Sequence, residues 1–143
     1  MRLKHLCGSL LLLVFTCCTT SSPADQLKSE MQTVSSWTAT TRMVCEAWLK
    51  GALPHAYAVD TLQTAEDTLE GQALALQAQS SESDAALRSS VIKEVRGVGQ
   101  IINGMRAAVE RRDNQALALL LKQLEAEEGA LKALVGSAGG TRP

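Results

Sequence analysis

Aromatic residues are scarce: two Trp, one Tyr and one Phe, 3% of a 143-residue chain. That is too little to build a stacking platform for bases or sugars. Histidine is nearly absent too, and His55 is the only one beyond the first five residues. With no Cys-x-x-Cys-His and no Glu-x-x-His, neither attached haem nor a bundle-type metal site is expected, and no cofactor is implied. No serine has a histidine partner on any motif, so nucleophilic catalysis lacks support. Of four cysteines, Cys7, Cys17 and Cys18 lie at the start and Cys45 alone lies in the body, which excludes an internal disulfide framework. Cys45 reads as a small buried hydrophobe. Without Arg2 and Lys4 the remainder carries 12 basic and 15 acidic residues. No basic surface stands out for nucleic acid. Gly97-Val98-Gly99 with Gly104 has the wrong spacing for a phosphate loop and follows no strand.

What is present begins with the first eighteen residues. Arg2, Lys4 and His5 precede Leu6 to Phe15, which is apolar except for Gly8 and Ser9. A charged start followed by a short apolar stretch is the pattern of an export signal. Roughly ten residues make about 15 Å of helix, half the ~30 Å hydrocarbon core of a bilayer, so a membrane span is not expected. Thr16, Cys17 and Cys18 close the stretch, and Thr19 to Pro23 follows.

A cysteine that ends a short apolar run and opens a Ser/Thr/Pro tether resembles a bacterial lipoprotein signal. The resemblance covers residues 1 to 22 and implies a diacylated cysteine at the mature N-terminus, Cys17 or alternatively Cys18. The family prefers Leu, a small residue, then Gly or Ala before that cysteine, whereas Val14, Phe15 and Thr16 stand before Cys17. An ordinary signal cut after Ala24, with Ser22 and Ala24 as the small residues, is the alternative. The expected organisation is a signal over 1–18, a polar tether over 19–24, a helical body over 25–136 and a disordered tail over 137–143.

Four helical stripes fill the body. In the first, over 25–50, Leu27, Met31, Val34, Thr38, Thr41, Cys45 and Trp48 recur at alternating spacings of four and three. Trp37 and Trp48 differ by only about 20° in azimuth and flank that face. Gly51 is placed to end the helix in the left-handed conformation. Pro54 opens the second helix, over 54–79, with stripe Val59, Leu62, Ala65, Leu69, Ala73 and Leu76. Ser81 and Asp84 read as a capping pair before the third, over 84–112. Its stripe is Leu87, Val91, Val95, Val98, Ile102, Met105 and Val109. Asp113 caps the fourth, whose stripe is Leu117, Leu121, Leu124, Glu128, Leu131 and Val135 and which Gly136 is expected to stop. The fold class is therefore all-α, an antiparallel up-down-up-down four-helix bundle.

Folding the stripes about their turns predicts which residues are level. Trp37 should meet Asp67, Arg96, Gly97 and Gly129, and Trp48 should meet Ala56, Ala107 and Leu119. The glycines would then make room for the indoles, offsetting the ~1 kcal/mol each costs inside a helix. The second helix carries four acidic and no Lys or Arg residues, and the third six basic and three acidic. Glu70 should face Lys93, and Asp67 should face Arg96. His55 is expected in a solvated turn. Glu66, Glu127 and Glu128 fall near mid-bundle with Thr38, Thr41 and Arg96, and paired carboxylates can do acid–base work when buried.

No catalytic residue is identified. The leading expectation is an exported bundle held at the cell envelope, on the periplasmic face, by an N-terminal lipid, acting as a non-catalytic protein-binding or structural module. Self-association is open to it, because a second apolar stripe can remain exposed. A soluble secreted or periplasmic small-ligand binder using Trp37, Gly97 and Gly129 is one alternative. An enzyme using Glu66 and Glu128 is another, and it needs them about 5–9 Å apart.

Overall fold

The computed structural model describes the backbone over 23–78 and 85–139 and side chains over 27–78 and 85–134. The leader, Cys17, Cys18, the Ser81–Asp84 cap, Val135 as a core position and the end of the tail (140–143) lie outside the described residues. Four helices fold as expected: α1 (Pro23–Leu49), α2 (His55–Ala78), α3 (Ala85–Glu110) and α4 (Asn114–Gly139).

Two boundaries differ from the expectation. Pro23 lies inside α1 rather than in a tether; proline suits a first turn, where its missing N–H has no partner to lose. α4 runs through Gly136 to Gly139, so 137–139 belong to a helix rather than a tail. A glycine stops a helix by turning left-handed; in helical conformation it only costs about 1 kcal/mol.

The two described turns are built alike. Gly51 has φ +69°, its N–H donates to Trp48 O at 2.8 Å, and Ala52 N–H donates to Ala47 O at 2.9 Å. This is a Schellman motif, which satisfies carbonyls that the helix end leaves open. At the α3 end Arg112 takes the left-handed position, φ 56°, with Arg112 N–H donating to Val109 O and Asp113 N–H to Ala108 O. Asp113 then accepts Ala116 N–H on Oδ1 at 2.9 Å and so also caps α4. Pro54 O accepts Ala58 N–H in the first turn of α2.

α1 packs against α2 and α4, α3 packs against α2 and α4, and α1 also touches α3 across the diagonal. Among the described residues the backbones of α2 and α4 do not approach within 8 Å between Cα atoms, and the two lie across the other diagonal. Glu66 of α2 reaches Asn103 and Arg106 of α3, whereas Gln77 reaches back to Arg96, so the two helices run antiparallel. The core is the set of stripes. Leu62, Ala65, Leu69, Ala73 and Leu76 meet Val91, Val95, Val98, Ile102, Met105 and Val109, with Leu117, Leu121, Leu124 and Leu131 from α4. In α2 the first core residue is Ala58 rather than Val59, which is half-buried. Each large aliphatic side chain fully withdrawn from water contributes about 1.5–3 kcal/mol.

α1 differs in kind. Its buried face includes Thr38, Thr41 and Cys45 beside Leu27, Met31, Val34 and Val44. Thr38 Oγ1 donates to Val34 O at 2.8 Å, but Thr41 Oγ1 has no partner.

Candidate functional site

Between α2 and α3 the polar groups form a ladder one step displaced from the expectation. Glu66 Oε1 accepts from Asn103 Nδ2 at 2.6 Å, and Oε2 accepts from Arg106 Nε at 3.1 Å. Arg106 Nη1 also donates to Glu110 at 2.8 Å. These partners, Glu66 foremost, raise the Arg106 guanidinium above its ordinary value. Arg96 Nη2 donates to Gln77 Oε1 at 2.9 Å, not to Asp67, which accepts from Gln63 instead. Glu70 and Lys93 do not meet as an ion pair. The expectation placed the seam by the middle of the turn. The helices are shifted, and Gln77 stands ten residues beyond Asp67, about 15 Å along the axis.

Between α1 and α4 lies a second cluster. Glu128 accepts from Lys132 at 2.8 Å and stands 4.0 Å from Arg42 Nε. Lys132 first, then Arg42, hold its carboxyl below the usual range against the opposing effect of burial. Glu66 and Glu128 thus lie on α2 and α4, each engaged by its own cation, Arg106 and Lys132 respectively. Periodicity put Glu128 on the core stripe, but its length lets the carboxylate reach the rim, where it is only half-buried. Glu127 meets Glu94 across the α3–α4 seam. Its hydrogen bond with Glu94, then burial and the like charge, raise its carboxyl, with Lys93 opposing.

The indoles do not fill the glycine positions. A Cβ placed at Gly97, Gly99 or Gly129 would have nothing within 4 Å. Trp37 is half-buried against the core, while Gly129 is exposed on α4. Trp48 packs edge-on against His55, ring centroids 5.5 Å apart at 67°, at the α1–α2 turn. His55 is therefore half-buried beneath an indole rather than solvated. Leu119, expected beneath Trp48, is 57% exposed. Level alone did not decide these contacts; azimuth did, because a residue at the right height can still point to solvent. Gly104 alone has a close neighbour, the Leu120 methyls at 3.4 Å. Cys45 is fully buried, and burial foremost, with the Glu46 charge second, pushes its thiol up to about 12. It is inert as a nucleophile at neutral pH.

Gly97 and Gly99 instead line shallow hollows along α3. One of about 380 Å³ follows the α2–α3 seam, with Leu69, Glu70, Ala73, Leu74, Arg96 and Gly99 among its walls. Another, about 620 Å³, continues it toward the start of α3 with Arg88, Lys93, Arg96 and Gly97. Arg96 and Gln100 line both, so the first hollow, the α2–α3 trough, adjoins the second at those two side chains. On the α4 side a third hollow shares Gly97 and Gln100. Leu74, 57% exposed, stands at the trough's edge. Sequence reasoning passed over Leu74, Asn103 and Arg106. Leu74 did carry a signal, as a leucine beside Ala73 and off the α2 stripe. Among the described residues no group of three or more His, Cys, Asp or Glu is placed to hold a metal ion.

Protein-family models, curated proteins and solved structures were compared with this chain, and none matches.

Proposed function

We propose that this protein is a lipid-anchored, non-catalytic bundle of the cell envelope that works by binding protein. The observation that carries the reading is the leader: a basic start, an apolar run of about ten residues, and Cys17-Cys18 opening onto Thr19 to Pro23. The start of α1 at Pro23 leaves four residues between Cys18 and the first helix, a short reach of at most about 14 Å, so an acyl chain there holds the bundle close to the membrane. Among the described residues no helix is long and apolar enough to cross a membrane. The non-catalytic part of the reading draws support from the carboxylates, which are engaged by cations on separate seams instead of converging on one cavity. The protein-binding part draws support from the α2–α3 trough, which is open, partly apolar and edged by an exposed leucine.

Intact-mass measurement on protein extracted gently from its host's membranes tests the anchor. The expected product begins at Cys17 or Cys18 and carries added acyl mass. A bare chain beginning near Asp25 would overturn the anchor and leave a soluble exported binder. A turnover activity abolished by substituting one carboxylate would overturn the non-catalytic reading.

A further inference from the structure

We infer that the outward face of α3 near its start seats the bundle on a membrane by binding anionic lipid headgroups. The inference takes from the reading above only which end of the bundle meets the membrane, and its test needs no acyl chain.

The second hollow, about 620 Å³, brings Arg88, Lys93 and Arg96 together, and among the described residues no Asp or Glu lines it. Gln77, Ser89 and Gln100 add hydrogen-bonding groups to its wall. Elsewhere cations are set against carboxylates: Arg106 with Glu66 and Glu110, Lys132 with Glu128, and Arg42 at 4.0 Å from Glu128. The carboxylates of α3 itself are engaged away from the hollow, Glu110 with Arg106 and Glu94 with Glu127 at the α4 seam. Lys93 also acts on the Glu127 charge across that seam, so the two arginines carry most of the excess. Arg96 is aimed by its bond to Gln77 Oε1 at 2.9 Å, which uses one of the five N–H donors of a guanidinium. Without Arg2 and Lys4 the chain holds 12 basic and 15 acidic residues, so attraction to an anionic surface has to come from a local excess of this kind.

The place of the hollow names the anion. α2 runs antiparallel to α1 and to α3, so α1 and α3 start at the same end of the bundle, the end where the leader joins α1 at Pro23. Counted from Ala85, the first residue of α3, Arg88, Lys93 and Arg96 stand about 5, 12 and 17 Å along its axis. The stretch from Cys18 to Pro23 reaches at most about 14 Å, so this is the end held against headgroups. The cations are spread over about 12 Å of axis, which suits a surface that repeats its anionic groups, one to each cation. A single phosphate is already matched by one guanidinium fork. An acidic protein segment would share the charge but would have no reason to sit at the leader's end. Arg111 and Arg112, both exposed at the far end of α3, are then lifted into water.

The test adds the purified full chain, at low ionic strength, to vesicles of phosphatidylcholine alone and of phosphatidylcholine mixed with phosphatidylglycerol. Sedimentation gives a partition constant for each, and their ratio is the preference for anionic lipid. The leader is common to every variant, so its own contribution cancels between them. Arg88→Gln with Arg96→Gln should cut the preference by roughly twentyfold, about fivefold for each cation. Arg88→Lys with Arg96→Lys keeps the charge and should keep the preference, which separates charge from any part the two arginines play in folding. Arg111→Gln with Arg112→Gln removes the same charge at the far end of α3 and should change the preference by less than about twofold. No preference for the mixed vesicles, an equal loss in the two glutamine pairs, or a loss in the lysine pair would each overturn the inference. Release by inorganic phosphate but not by chloride of equal ionic strength would overturn it too, by making the hollow a site for free phosphate. Poly-glutamate bound through Arg88 and Arg96, with vesicles left unbound, would overturn it in favour of an acidic protein. The acyl anchor is judged separately by intact mass, so failure of either leaves the other standing.

Discussion

The α1–α4 seam and the α2–α3 face are built from similar residues and use them differently. At the α1–α4 seam Glu128 is engaged by Lys132 and faces Arg42, and α1 turns Thr38, Thr41 and Cys45 into the core. Its carboxylate is engaged within the chain, although Arg42 Nε is buried with no hydrogen-bond partner, and its packing surface is part polar. At the α2–α3 face the buried stripe is wholly aliphatic. Yet among the described residues Glu70 forms no ion pair, Leu74 is exposed, and Gly99 faces open space. Internal stability therefore concentrates in α2 and α3, and so does the surface with binding capacity still unspent. α1, whose buried face gives up aliphatic contacts to Thr38, Thr41 and Cys45, is expected to be the more weakly held helix.

The largest test of that difference is Leu69→Ala, which removes a side chain 1% exposed at the centre of the aliphatic seam. It should cost about 2–5 kcal/mol in urea unfolding. A cost under about 1 kcal/mol would mean that the seam is not the stabilising element. In α1 the sign reverses. Thr41→Val keeps the shape and deletes the unpartnered hydroxyl, so it should stabilise by about 1 kcal/mol. Destabilisation would show that the hydroxyl is bonded in solution. At the α3–α4 turn Arg112→Gly relieves a left-handed non-glycine residue and should stabilise by about 1 kcal/mol. That gain bears on the hairpin but not on α1, and it separates local strain from seam strength.

The smallest effect concerns pH. Glu127 has a raised carboxyl, so its contribution is fully present below the unfolded value near 4.5 and is lost as pH rises through the higher folded value. The repulsion from Glu94 is therefore felt at neutral pH. Glu127→Gln should raise the Tm at about pH 7 and do nothing at about pH 3.5. Glu128 has the opposite sign: its pairing stabilises above about 4.5 and is lost as pH falls through its lowered folded value. Glu128→Gln should lower the Tm at about pH 7 and leave it unchanged well below that range. Equal responses from the two variants would contradict the separation of the seams.

The fold was legible because apolar spacing reports it directly. All six positions from Leu27 to Cys45 on the α1 stripe are buried, and Gly51 and Asp113 act at the ends where chemistry places them. The relative height of neighbouring helices was not legible. Counting from the middle of a turn assumes that paired helices end flush, and α2 and α3 do not, so Arg96 found Gln77 instead of Asp67. The same assumption set the Trp37 indole against Gly97 and Gly129, and no side chain stands within 4 Å of a Cβ placed at either glycine. A helical period gives the face a residue shares, but not which neighbour that face meets. Arg112 as a left-handed cap had no signal at all, since arginine is among the residues least expected there. Leu74 was visible as a leucine off its stripe, and single exposed leucines are common enough that only the hollow beside it, with Gly99 in its wall, gives it meaning.

The most direct test of the difference between the two faces compares two apolar residues that the isolated bundle exposes to similar degrees. Met43 on α1 is 67% exposed and Leu74 on α2 is 57% exposed. Single cysteines placed at each, in the full chain in intact host membranes, would be labelled with a membrane-impermeant maleimide after the envelope is opened. If the α2–α3 face is the occupied one, Met43→Cys is labelled rapidly and Leu74→Cys is protected. Equal labelling of the two, or protection of Met43→Cys alone, would contradict it.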